Sequence, residues 1–78
     1  MTLKELRRGQ SARIEKIDSN QPGVVRLMVL GLIEGAEIIF ENAAIGGDPM
    51  EVSVFGTAIS IRRQQADSFS VAPTSTNG

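Results

Sequence analysis

The stretch Asp48-Pro49-Met50-Glu51-Val52-Ser53-Val54-Phe55-Gly56-Thr57-Ala58-Ile59-Ser60-Ile61 decides the fold. Met50, Val52 and Val54 alternate with Glu51 and Ser53, which is the period of a strand with one apolar and one wet face. Ile59 and Ile61 alternate in the same way with Ala58 and Ser60. Gly56 separates the two runs by so little chain that only a hairpin joins them, and Asp48-Pro49 punctuates the start.

Toward the C-terminus, Arg63 to Asp67 reads as a polar turn or one helical turn, followed by a last short strand with Phe69 and Val71 facing inward. The tail Pro73-Thr74-Ser75-Thr76-Asn77-Gly78 carries no apolar residue and is expected to be disordered. Toward the N-terminus, Asn42 to Gly47 is a loop, Glu37 to Phe40 a second strand, and Leu32-Ile33-Glu34-Gly35 a tight turn. Val24 to Leu30 is apolar apart from Arg26. Pro22 before it and Gly31 after it give a short helix its punctuation, although β-branched Val24 and Val25 lean toward a strand. Asp18 to Gly23 is a turn cluster. Ala12, Arg13, Ile14 and Glu15 alternate within a strand over Ser11 to Ile17, and Ile17 falls out of phase, the mark of a bulge or a strand end. Thr2 and Glu5 fit a capping box for an N-terminal helix of one or two turns carrying Leu3 and Leu6.

About five strands and two short helical insertions fit a mainly β fold, a small SH3-like barrel whose strongly bent sheet leaves few exposed edges. An OB-like barrel is the alternative, with strands that usually run longer. The 78 residues have room for one domain, expected over residues 1–72, with the tail at 73–78.

The composition narrows the chemistry. Eight Lys and Arg against nine Asp and Glu give a net charge of -1, which disfavours a nucleic-acid module. Such a module would need Arg7, Arg8, Arg13, Arg62 and Arg63 to converge on one face. Cys and His are both absent, removing thiol chemistry, disulfides, Ser-His triads and zinc sites of thiolate or imidazole ligands. Trp and Tyr are also absent, so a stacking platform is hard to build. Met1 to Glu5 is too polar to open a signal peptide, and no apolar run approaches the ~20 residues that cross a bilayer, so the expected compartment is the cytosol and no membrane insertion is expected.

The remaining candidates each have a bland and a sharp reading. Gly31, Gly35, Gly47 and Gly56 belong to no phosphate-binding loop and are expected in turns. Glu37, Glu41, Asp48 and Glu51 could collect around a hard cation, but without imidazole or thiolate they read as solvated charges. Arg62 and Arg63 could receive an acidic patch or lie along the barrel wall. Arg26 sits on an apolar helix and could brace the barrel by pairing with Asp48 or Glu34. Finally, Val24 to Ile33 holds more apolar side chains than one helix face buries, because Val25, Met28 and Val29 cannot all point the same way as Leu27 and Leu30. Either the helix lies in a cleft of its own barrel or it meets another chain. The partner-binding set is then Val25, Arg26, Met28, Val29 and Leu32. No catalytic residue, metal ligand or cofactor is expected.

The order Leu3, Leu6, Gly9, Ala12, Ile14, Arg26-Leu27, Leu30-Gly31-Leu32, Gly35, Ile38, Gly47-Asp48-Pro49, Val52, Val54, Gly56, Ile59, Ile61-Arg62-Arg63, Ala66, Phe69 and Val71 resembles the FeoA family. Its most specific parts are the segment from Arg26 to Gly35 and Gly47-Asp48-Pro49 with the following hairpin. Glu34 stands where the family often has proline. The resemblance implies an SH3-like barrel with a helical insertion that acts, without catalysis, as a cytoplasmic accessory of ferrous iron transport. The implied partner is the large membrane permease whose cytosolic portion carries a GTP-binding domain. The same module looks like the C-terminal domain of iron- and manganese-dependent repressors, so a regulatory or transition-metal-sensing domain is the alternative. A homo-oligomer stays open.

Overall fold

Alternating burial shapes the sheet. The computed structural model describes residues 1–74. Strands β1 (Ser11–Ile17), β2 (Glu37–Ala43), β3 (Met50–Val54), β4 (Thr57–Ile61) and β5 (Phe69–Pro73) pair antiparallel in the order β4-β3-β2-β1-β5. Helix α1 (Val24–Val29) follows β1 and a single turn, α2 (Arg63–Ala66), follows β4; Leu3–Glu5 and Ile45–Gly47 are 3-10 turns. The N-terminal helix is thus one tight turn, in which Thr2 N–H donates to Glu5 Oε1 at 2.7 Å.

The hairpin reads as its alternation dictates. Val54 faces Thr57, Val52 faces Ile59 and Met50 faces Ile61, and all of these except Thr57 are buried. Phe55 and Gly56 form the two-residue turn with φ of 50° and 77°. Positive φ at both central positions matches the right-handed twist of the flanking strands, which is why glycine suits the second position. A bulky aromatic at the first is an outlier whose backbone costs about 1–3 kcal/mol.

Two irregularities bend the sheet. The β1–β5 register shifts between Ile14 and Lys16, which lets Ile14 face Val71 and out-of-phase Ile17 still face Phe69. The β2–β3 register shifts between Phe40 and Asn42, and past it β2 continues to Ala43. Bulges of this kind increase local twist. The curled sheet encloses Leu3, Ile14, Ile38, Val52, Ile61 and Phe69, each almost wholly removed from water. It does not close by hydrogen bonds: β4 and β5 remain its two edges, with α2 between them in sequence and Ala66 in the core.

Strand β5 runs one residue past the expected end of the domain at residue 72. Pro73 pairs with Ala12, Thr74 N–H donates to Ser11 O at 2.9 Å, and Thr74 Oγ1 donates to Glu37 Oε2 at 2.6 Å. Pro73 and Thr74, the first residues of the expected tail, thus pair with the sheet; the rest of that tail, residues 75–78, lies outside the described residues. Arg63 locks the opposite side. Its Nε donates to Gly47 O, its Nη1 to Lys4 O at 3.1 Å, and its N–H to Asp48 Oδ1 at 3.0 Å.

Candidate interaction surface

Helix α1 opens at Gly23, whose φ is 81°, and buries Val24 and Leu27, three residues apart on one face. Its C-terminus closes in a Schellman motif. Gly31, at φ 126°, donates its N–H to Met28 O at 3.0 Å, and Leu32 N–H reaches back to Leu27 O at 3.0 Å. That motif normally packs the residue after the glycine against the helix's last turn, and Leu32 is fully buried with Leu27 in the core.

This geometry corrects one expected contact residue. Leu32 is 0% exposed and sits inside the protomer, so it cannot meet a partner. Leu30, expected to point inward with Leu27, is half-exposed because the left-handed Gly31 turns the chain and sends Leu32 inward in its place. The other four expected residues lie where a partner can reach them. Val25 is 57% and Val29 80% exposed, Arg26 is exposed, and Met28 is half-buried against the edge of the core. The Arg26 side chain pairs with neither Asp48 nor Glu34, and among the described residues it makes no hydrogen bond or ion pair.

The exposed apolar surface extends beyond the helix. Ile33 is exposed, and Phe55 at the hairpin tip is 72% exposed. The Phe55 ring lies over Gly31, where a Cβ would stand 3.4 Å from it. Sequence reasoning missed Phe55, whose exposure follows from its place in the two-residue turn.

The other candidates stay apart. Glu37 accepts from Thr74 and Asp48 from Arg63, and no group of three or more carboxylates among the described residues is placed to hold a metal ion. Arg63 is spent on the protein's own backbone, Arg8 donates to Asn42 Oδ1 at 3.2 Å, and Arg62 is exposed. Arg13 on β1 and Arg62 beyond β4 are separated by two intervening strands. Gly31, Gly35, Gly47 and Gly56 all have positive φ, in keeping with their expected place in turns. No helix among the described residues is long and apolar enough to cross a membrane.

A bent, five-stranded antiparallel sheet with a short helix inserted after its first strand defines a small SH3-like domain. The FeoA domain matches residues 1–73, and the chain belongs to the FeoA family. It is similar to the FeoA protein from Chlorobium tepidum, with 34% identity and a TM-score of 0.88 over 100% of this chain and 74% of that one. It is also similar to FeoA from Stenotrophomonas maltophilia, with 30% identity and a TM-score of 0.80 over 92% of this chain and 89% of that one. That protein was solved with zinc and is described as a procaryotic SH3 domain protein proposed to act as a bacterial ferrous iron transport activating factor. A manganese-dependent transcriptional repressor shares the fold alone, with 14% identity and a TM-score of 0.83 over 95% of this chain and 36% of that one. A search of curated proteins finds no match.

Proposed function

We propose that this chain is a non-catalytic, cytoplasmic accessory of ferrous iron transport. It docks on the cytosolic part of the membrane ferrous iron permease that carries a GTP-binding domain, and biases that domain by binding. Val25, Arg26, Met28 and Val29 are the contact residues. The observation that carries the reading is the outer surface of α1: Val25 and Val29, one turn apart on the same face, are 57% and 80% exposed beside an Arg26 whose side chain has no partner among the described residues. Exposed apolar side chains around a charge are the mark of an interaction surface, and a half-buried methionine adapts to a partner's shape. Family membership and the transport-activating role proposed for the Stenotrophomonas relative support the same reading. A docked module changes its partner by favouring one of the partner's conformations, which requires no catalytic group.

Calorimetric titration against the permease's cytosolic region tests it. The native chain should bind, and Met28→Asp and Val29→Asp should each weaken binding at least ~10-fold, the equivalent of about 1.4 kcal/mol. Absence of binding by the native chain refutes the partner. Undiminished binding by both variants refutes the surface.

A further inference from the structure

The two edges of the sheet are treated differently. On β5, Val71 N–H donates to Met1 O at 2.8 Å and Thr2 bridges Ser70, so the N-terminal segment covers that edge. Among the described residues nothing comparable covers β4. The two-residue turn sets Val54 opposite Thr57. In an antiparallel ladder that starts from such a turn, Thr57, Ile59 and Ile61 exchange hydrogen bonds with β3. Ala58 and Ser60 then aim their N–H and C=O groups away from the sheet. Among the described residues no hydrogen bond from another element reaches the backbone of either one. Natural edges are usually blunted by charge, proline, a bulge or a cover. β4 reads Thr-Ala-Ile-Ser-Ile, pairs with β3 without a bulge, and has none of these.

The free edge opens onto a cleft between β4 and α1, about 250 Å³ in volume. This is smaller than the ~300–1,000 Å³ typical of small-molecule sites, and it suits one or two side chains of a segment lying along the strand. Leu27 and Ile59 form an apolar floor, Leu30 a half-exposed wall, and Arg26 is the one charged side chain in the lining. Among the described residues no carboxylate lines the cleft to neutralise it.

We infer that β4 is a docking edge for an extended acidic peptide segment of another protein, which adds as a further strand through the backbone of Ala58 and Ser60. The segment places an apolar side chain on the Leu27–Ile59 floor and, two residues along on the same face, a carboxylate on Arg26. Strand addition gives backbone hydrogen bonds for affinity and alternate side chains for selectivity. The charge of the cleft decides against a second copy of this chain: β4 carries no carboxylate, and pairing two β4 edges would supply none from the strand while bringing the two Arg26 cations toward each other. The inference stands on the edge and the cleft, whichever protein carries the segment.

The probe is a capped Thr-Val-Thr-Glu-Thr-Val-Thr peptide, which presents valine and glutamate on one face. Amide hydrogen exchange and chemical shifts of the isotopically labelled chain are followed during titration. Without the peptide, Ala58 and Ser60 amides should exchange faster than those of Ile59 and Ile61, and saturation should slow both at least ~10-fold. Arg26→Glu should weaken binding ~10-fold or more, and a probe with lysine in place of glutamate should restore it. Ala58→Pro removes an outward N–H without touching the β3 ladder, so it should keep the fold's spectrum and abolish binding. The inference is overturned by a probe that does not bind at millimolar concentration, by binding without protection of Ala58 and Ser60, or by binding that Ala58→Pro leaves intact. Protection of the same amides by self-association, in the absence of peptide, would assign the edge to a second copy instead.

Discussion

Replacing Leu32 by alanine removes three buried carbons from a side chain that is 0% exposed. At about 0.8 kcal/mol per methylene the lost transfer energy is ~2.4 kcal/mol. A cavity that collapses only partly adds ~1 kcal/mol or more, giving about 3–4 kcal/mol. A chain of 78 residues has a total stability of about 4–12 kcal/mol at ~0.05–0.15 kcal/mol per residue, so the loss is a large share of what holds it folded. Val29→Ala, at a position 80% exposed, should change stability by less than ~0.5 kcal/mol, because little is buried and alanine is the better helix former. Urea unfolding followed by circular dichroism measures both. With a slope near ~1 kcal/mol per M, Leu32→Ala should lower the midpoint by about 3 M and Val29→Ala should leave it in place. A Leu32→Ala cost below ~1 kcal/mol, or a Val29→Ala cost equal to it, would show that the Schellman turn does not divide inward from outward residues as described.

Arg63→Met keeps most of the aliphatic stem but deletes two hydrogen bonds to the carbonyls of Gly47 and Lys4, and should cost about 2–3 kcal/mol in the same unfolding experiment. Phe55→Asn puts a residue that tolerates positive φ into the hairpin turn and should raise stability by about 1 kcal/mol, read as a higher melting temperature. Gly31→Ala forces a side chain to adopt φ 126° with its Cβ 3.4 Å from the Phe55 ring, and should destabilise by more than ~1 kcal/mol in thermal unfolding.

The strands were legible because each buries a single face. Met50, Val52, Val54, Ile59 and Ile61 announce themselves by alternation and are buried, and the out-of-phase Ile17, read as a bulge or a strand end, is the last residue of β1 and follows a register shift between Ile14 and Lys16. What was not legible depends on geometry that spacing does not encode. A helical wheel groups Leu30 with Leu27, whereas the left-handed turn at Gly31 exchanges Leu30 for Leu32 in the core. β2 runs to Ala43 because a bulge after Phe40 restores its pairing with Met50, and no local signal marks that shift. Thr74 carries no strand signal, yet its hydroxyl donates to Glu37 across the sheet. Of the expected contact surface, Val25, Arg26, Met28 and Val29 lie within reach of a partner, whereas Phe55 required the turn geometry and the free edge of β4 required the strand order.

Mapping amide and methyl shifts of the labelled chain as the permease's cytosolic region is added addresses the docking claim at residue level. The account predicts that the largest changes fall on Val25, Arg26, Met28 and Val29. Changes confined to β1 and β5, or a spectrum that does not move at saturating permease, would contradict it.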